Sequence, residues 1–259
     1  MRQQADKQIY KQLPKLLEQQ RWEQAEPLFD KFVAERSLEA VGYDNFISYA
    51  RLKFQRSNNV DAEKAAMLAI SLDEMRVEAP ELLLEVYIKQ KVYKKALQVA
   101  DALLKACPDS VNYKTNRLTV LSCINDSDEV LSYWKEVCTQ HPEVADMPSV
   151  QHSVLNALVS DGRFEEANEY YSEFKQTHDK WNNWLALSEP HIQSGLGHFD
   201  KAVDSLTESI AMDPENIVWR WNRGLVRLAK GDLKDGWQDY GCRWSWSDFP
   251  SPKRELDIS

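Results

Sequence analysis

The residues that could do chemistry here are five His, four Cys and a large stock of carboxylates. His141, His152, His178, His191 and His198 show no H-E-x-x-H spacing that would hold zinc on one helix face. His191 and His198 are seven apart, a helical spacing, but Gly195 and Gly197 interrupt the helix that would align them. Cys107, Cys123, Cys138 and Cys242 lie at least 15 residues apart, with no C-x-x-C pair. They read as reduced, mostly buried thiols rather than nucleophiles or metal ligands. G-x-S-x-G, a Walker sequence and G-x-G-x-x-G are all missing. No catalytic residue, metal site or cofactor is therefore assigned, and the chain reads as non-catalytic.

Composition narrows the remaining classes. The 259 residues are 43% hydrophobic and 10% aromatic, too rich for a disordered chain. A mean hydropathy of −0.57 leaves no membrane span. The net charge of −9 argues against a nucleic-acid partner, which would require a basic face. The first residues hold no apolar stretch suited to a secretory signal, so a cytoplasmic location is expected.

The elements that position any site follow from an internal repeat. The segments 162–174, 197–214 and 231–244 each start with Gly, then place an apolar, a small and a bulky residue at matching offsets. The small residues are Ala25, Ala62, Ala96, Val130, Ala167, Ala202 and Gly236, with gaps of 37, 34, 34, 37, 35 and 34. Bulky or apolar partners follow four residues on, from Phe29 to Tyr240. Each unit reads as two helices. The first carries apolar residues such as Leu83, Leu84 and Tyr87, or Leu118 and Leu121. Gly162, Gly197 or Gly231 breaks the chain, and the small residue lets the two helix axes come close. Pro108, Pro142 and Pro214 stop the second helix. Pro14, Pro27 and Pro190 fall off these boundaries, so kinks or shifted helix starts are expected there.

This pattern resembles the tetratricopeptide-repeat family over roughly residues 6–244. It is best at 197–244 and poorest at 111–142, where Val130 replaces the usual Ala and Asn125 the usual Gly. The resemblance implies an all-α, right-handed superhelical solenoid of about seven helix-turn-helix repeats. Their approximate spans are 6–42, 43–76, 77–110, 111–147, 148–182, 183–216 and 217–244, with 245–259 as a tail or linker. It also implies a concave groove lined by first helices, where a protein or peptide ligand would bind.

Reading the groove positions gives three zones. Glu78, Glu81 and Glu85 form an acidic stripe, spaced i, i+3 and i+7. Asn116, Thr119, His152 and Asn156 offer amide, hydroxyl and imidazole groups for the backbone of an extended peptide. Trp184, His191, Trp221 and Asn222 follow, with the two Trp as flat apolar anchors. A clamp for a C-terminal carboxylate is not expected, because His152 and Val218 stand where its basic residues would be.

Seven of the nine Trp lie beyond residue 180. Trp237, Tyr240, Arg243 and Trp244 follow Gly231, Asp232, Leu233 and Gly236 in a pattern similar to the last repeat of bacterial tetratricopeptide-glycosyltransferase proteins. That likeness implies a domain-junction cap, and a chain that ends inside the linker of a longer enzyme. Two functions follow: a non-catalytic scaffold that binds a peptide or partner protein, or the acceptor-recognition region of a glycosyltransferase whose catalytic domain lies downstream.

Overall fold

The computed structural model describes residues 21–124, 126–176 and 183–246, together with Leu13, Lys15, Leu16 and Gln19. Pro14, Asn125, His178, Trp181 and the tail from 247 onward lie outside the described residues. Among the described residues the regular structure is entirely helical. In chain order the α-helices are α1 (Trp22–Ala34), α2 (Leu38–Val41), α3 (Tyr43–Gln55), α4 (Asn59–Leu72), α5 (Glu78–Lys89), α6 (Tyr93–Ala106) and α7 (Val111–Ser122). They continue as α8 (Ser127–Gln140), α9 (Pro148–Ser160), α10 (Phe164–Gln176), α11 (Asn183–Gly195), α12 (Phe199–Met212), α13 (Ile217–Lys230) and α14 (Leu233–Tyr240). Short 3₁₀ turns cover Pro142–Asp146 and Gly241–Ser245.

Some helix starts are capped by short polar side chains that take up the first free amides. Asn58 accepts from the Asp61 N–H at 3.2 Å, and Asp126 from the Glu129 N–H at 3.0 Å. The turn inside five of the pairs is a Schellman closure. The N–H of Asn58, Val92, Arg163, His198 and Asp232 reaches back to the carbonyl of Lys53, Tyr87, Leu158, Gln193 and Arg227, respectively. That closure requires a left-handed residue just before it. Gly162, Gly197 and Gly231 supply it at φ 74°, 77° and 94°. Ser57 and Lys91 fill the same place at φ 59°, so two turns hold a side chain where the others have none.

The small residues lie where the helices cross. Ala25, Ala62, Ala96, Val130, Ala167 and Ala202 all have no exposed surface, and Gly236 is buried. A larger residue there would force two backbones apart. Pro27 and Pro190 lie inside α1 and α11, which continue on both sides of them, so neither proline marks a shifted helix start. The surrounding turns hold each helix despite the missing donor. The thiols also depart from expectation: Cys107 is exposed and Cys123, Cys138 and Cys242 are half-buried, all unpaired in disulfides. Cys107 caps the end of α6, its N–H donating to the Leu103 carbonyl.

The chain divides into two compact units, residues 1–120 and 121–259. In the first, side chains bridge neighbouring helices. Lys53 is buried yet meets Glu26 at 2.8 Å and Asp30 at 2.7 Å, which ties α3 to α1. Burial lowers the affinity of its amine for a proton, but the two carboxylates outweigh it and hold the charge on. The Tyr49 hydroxyl donates to Asp30 at 2.6 Å, and the Tyr87 hydroxyl to Glu63 at 2.9 Å. In the second unit the core around α11–α13 gathers Ala186, Ala202, Leu206, Trp219 and Val226. Asp239 is clasped there by Arg223 at 2.7 and 2.9 Å and by Arg227 at 2.7 Å, fastening α14 to α13.

Candidate functional site

In the second unit, α9 and α11 are the first helices of adjacent pairs, and a cleft of about 250 Å³ opens between them. Its apolar wall is Leu155, Val159 and Leu187; its polar groups are His152, Asn156, Ser160, Ser188 and His191. The His152 Nδ1 lies 2.8 Å from the Ser188 hydroxyl, and its ring is tilted against Trp184 with centroids 5.3 Å apart. Asn156 donates from Nδ2 to the Ser122 carbonyl at 3.0 Å, closing the free end of α7. Trp184 stands 46% exposed beside the cleft.

Burial is the main influence on the His152 ring and pulls its pKa down to about 4; repulsion from His191 adds to this, and the Trp184 backbone opposes it. His152 is therefore neutral at physiological pH. Desolvation lowers the pKa of His191 as well.

The residues singled out from the sequence fall in four places. His152, Asn156 and His191 line the cleft and Trp184 flanks it through His152. Trp221 does not line it: its ring meets Trp246 edge-on at 5.6 Å, and its indole Nε1 is buried without a hydrogen-bond partner. Trp221 is half-buried, and Asn222, one residue on, is buried at 7% exposure. Asn116 and Thr119 sit on α7 within the first unit, where the Thr119 hydroxyl donates to the Thr115 carbonyl at 3.1 Å.

The acidic residues lie on α5. Glu78, Glu81 and Glu85 border a cleft of about 280 Å³ with Trp22, Arg51 and Phe54. Two of these carboxylates also join helices. Glu78 pairs with Arg76 at 2.9 Å, which is the main cause that lowers its pKa to about 2, and it accepts from the Tyr43 hydroxyl. Glu81 accepts from the Tyr113 hydroxyl at 2.7 Å.

At the last repeat, Trp237 and Trp244 are 57% and 41% exposed, and Leu233 is 59% exposed. Trp237 meets Tyr240 edge-on, while the Arg243 guanidinium lies 4.3 Å from the Tyr240 ring and 4.2 Å from the Trp244 ring. Ser188, Leu187 and Trp246 were not singled out from the sequence. Ser188 follows Trp184 by one helical turn and faces His152; that spacing was the available signal.

Among the described residues no three His, Cys, Asp or Glu side chains gather as a metal-ligand set, and no helix is long and apolar enough to cross a membrane. No protein-family model and no curated protein matches the sequence. Solved structures do match. A tetratricopeptide repeat protein from Parabacteroides merdae superposes with TM-score 0.77 at 11% identity, covering 92% of this chain and 91% of that one. A thermophilic tetratricopeptide-repeat protein of Thermus thermophilus gives TM-score 0.58 at 13% identity, covering 72% and 100%. Yeast Tom70 gives 0.55 at 13% identity, covering 77% of this chain but 42% of its own. These likenesses establish the fold: an all-α tetratricopeptide-repeat solenoid.

Proposed function

We propose that the chain is a non-catalytic protein-interaction scaffold that holds an extended segment of a partner protein against its first helices. The observation that carries this is the α9–α11 cleft, which combines an apolar wall with hydrogen-bonding side chains and an exposed Trp at its edge. Such a mixture suits a peptide, whose backbone needs polar partners while its side chains need apolar contact. In this reading, seven repeats over 6–244 set the spacing of these groups.

Selection of a displayed library of random 12-residue peptides against the full chain tests this reading. Peptides should be recovered whose affinity drops roughly ten-fold in Trp184→Ala, because an exposed aromatic anchor is removed. The variant should keep the wild-type melting curve. Failure to recover any peptide that depends on Trp184 overturns the assignment.

The exposed Leu233, Trp237 and Trp244 favour a second reading, in which a further domain packs on the last repeat. By the C-terminal resemblance that domain would be a glycosyltransferase, with this chain recognising its acceptor. An immunoblot of the native gene product decides: a band near the mass of this chain removes the second reading, and a much larger one supports it.

A further inference from the structure

We infer that His152 and His191 form a two-imidazole site in the α9–α11 cleft for a transition-metal ion of the zinc type, and that the ion staples these two helices together. This goes beyond the scaffold reading and does not depend on it, since an ion joins the helices whether or not a peptide binds.

The donors come from two first helices. His152 lies on α9 and His191 on α11, and both border the same cleft of about 250 Å³. The rings are near enough for a charge on one to act on the other. Burial keeps both below their ordinary pKa, so at neutral pH each stands in the unprotonated form that a metal binds.

The hydrogen bonds decide which nitrogens are left for an ion. The Nδ1 of His152 is engaged by the Ser188 hydroxyl at 2.8 Å, which leaves Nε2 for the cleft. Either imidazole tautomer meets Ser188. An ion on Nε2 selects the one with its proton on Nδ1, which then donates to Ser188, while the Ser188 hydroxyl donates to the Trp184 carbonyl at 3.3 Å. Metal-bound imidazoles are commonly oriented by such a donation from the other ring nitrogen. His191 has no hydrogen bond among the described residues, so its ring turns towards an ion without breaking one. Metal–nitrogen bonds of about 2.0–2.1 Å bring the two nitrogens to roughly 3.3 Å, and rotation of His191 supplies that approach. Asn156 is a third neighbour. Its Nδ2 donates to the Ser122 carbonyl at 3.0 Å, which holds the carboxamide at the cleft with Oδ1 as a neutral oxygen ligand.

The donor set fixes the kind of ion. Among the described residues no Asp or Glu borders the cleft. Imidazole nitrogen suits zinc, nickel and copper, whereas calcium and magnesium are held through carboxylate oxygens.

Zinc chloride titrated calorimetrically into the full chain tests this. One ion should bind per chain, and His191→Ala should weaken it roughly ten-fold or more. His152→Ala should do the same. His191→Ala keeps the test decisive even if loss of the His152–Ser188 contact unfolds the other variant, because His191 makes no such contact. His198→Ala, outside the cleft, is the control and should bind zinc as the wild type does. Amide exchange in α9 and α11 should slow when zinc is added, while α13 stays unchanged. Excess magnesium should not compete. Absence of zinc binding overturns the inference, and so does binding that survives His191→Ala or a folded His152→Ala, since the ion then sits elsewhere. Exchange in α9 and α11 that ignores the ion, or competition by magnesium, overturns it too. The peptide selection decides the scaffold reading separately.

Discussion

Gly224→Ala is the sharpest test of how the last repeat is built. A Cβ at Gly224 would lie 2.6 Å from the Tyr240 amide nitrogen, 3.0 Å from its Cα and 3.1 Å from the Gly236 carbonyl oxygen. All three are backbone atoms, so no side chain can rotate away. Normal contact begins near 3.5 Å, and α13 and α14 must separate by roughly 1 Å. The partner surface is equally tight, because a Cβ at Gly236 would lie 2.9 Å from the Leu228 side chain and 3.0 Å from its nitrogen. Overpacking of this kind costs about 1–3 kcal/mol, and an immovable neighbour puts it near 3. Ala gains about 1 kcal/mol over Gly in helix propensity, which leaves a net loss of about 2. Solenoids open repeat by repeat, so the loss should be local. Amide exchange in α13 and α14 should accelerate about 30-fold, the equivalent of 2 kcal/mol, while α3–α6 stay unchanged. Gly241→Ala is the control, since nothing lies within 4 Å of its added carbon. If Gly224→Ala slows exchange, helix propensity outweighs the crossing and the argument from close approach is wrong.

Three further outcomes are expected. Lys91→Gly should stabilise the fold by about 0.5–1 kcal/mol and so raise the unfolding midpoint, because it relieves a left-handed side chain at φ 59°; an unchanged or lower midpoint would refute this. His152 is held neutral in the fold, with a pKa near 4 against 6.5 when exposed, so the unfolded chain binds the extra proton between those values. Stability from this residue is complete above about pH 6.5 and should decline by about 2–3 kcal/mol as pH falls towards 4. Denaturation midpoints of wild type and His152→Asn across that range should diverge in slope, and parallel profiles would rule the effect out. Asp239→Asn should cost about 2 kcal/mol, since it leaves two guanidiniums facing a neutral amide in a mostly buried clasp, and an unaltered urea midpoint would show the clasp to be unimportant.

The fold was readable because its constraint is steric and periodic. A residue that must be small at a helix crossing leaves the same mark each time, and Ala62, Ala96, Ala167 and Ala202 are all sealed from solvent. The turns were half readable. Gly162, Gly197 and Gly231 announce a left-handed residue, whereas Ser57 and Lys91 take the same backbone without the signal. There the Schellman hydrogen bonds and the helices on either side impose a conformation the residue type disfavours. The surroundings of the candidate site were less readable. Which face of α13 stays open depends on Trp246, 25 residues beyond Trp221, and a single such contact leaves no periodic trace. Ser188 gains its meaning only from His152, 36 residues earlier on a different helix.

The same side chains that would meet a partner also hold the repeats together, and this limits how the cleft can respond to a ligand. Asn156 gives an amide proton to the end of α7 and His152 engages Ser188 through Nδ1, so both side chains are held in place by neighbouring helices. A ligand that turned either side chain away would first have to break a contact between helices, at roughly 1 kcal/mol or more for each bond lost. A ligand that accepts their present placement meets groups already oriented and loses little to rearrangement. Trp184 is different, because its exposed ring leans on His152 and can move without disturbing either hydrogen bond's partner. Selectivity should therefore reside in the rigid pair and affinity in the Trp. Substitution of Trp184 would then weaken all recovered peptides alike, whereas substitution of His152 or Asn156 would change which peptides are recovered.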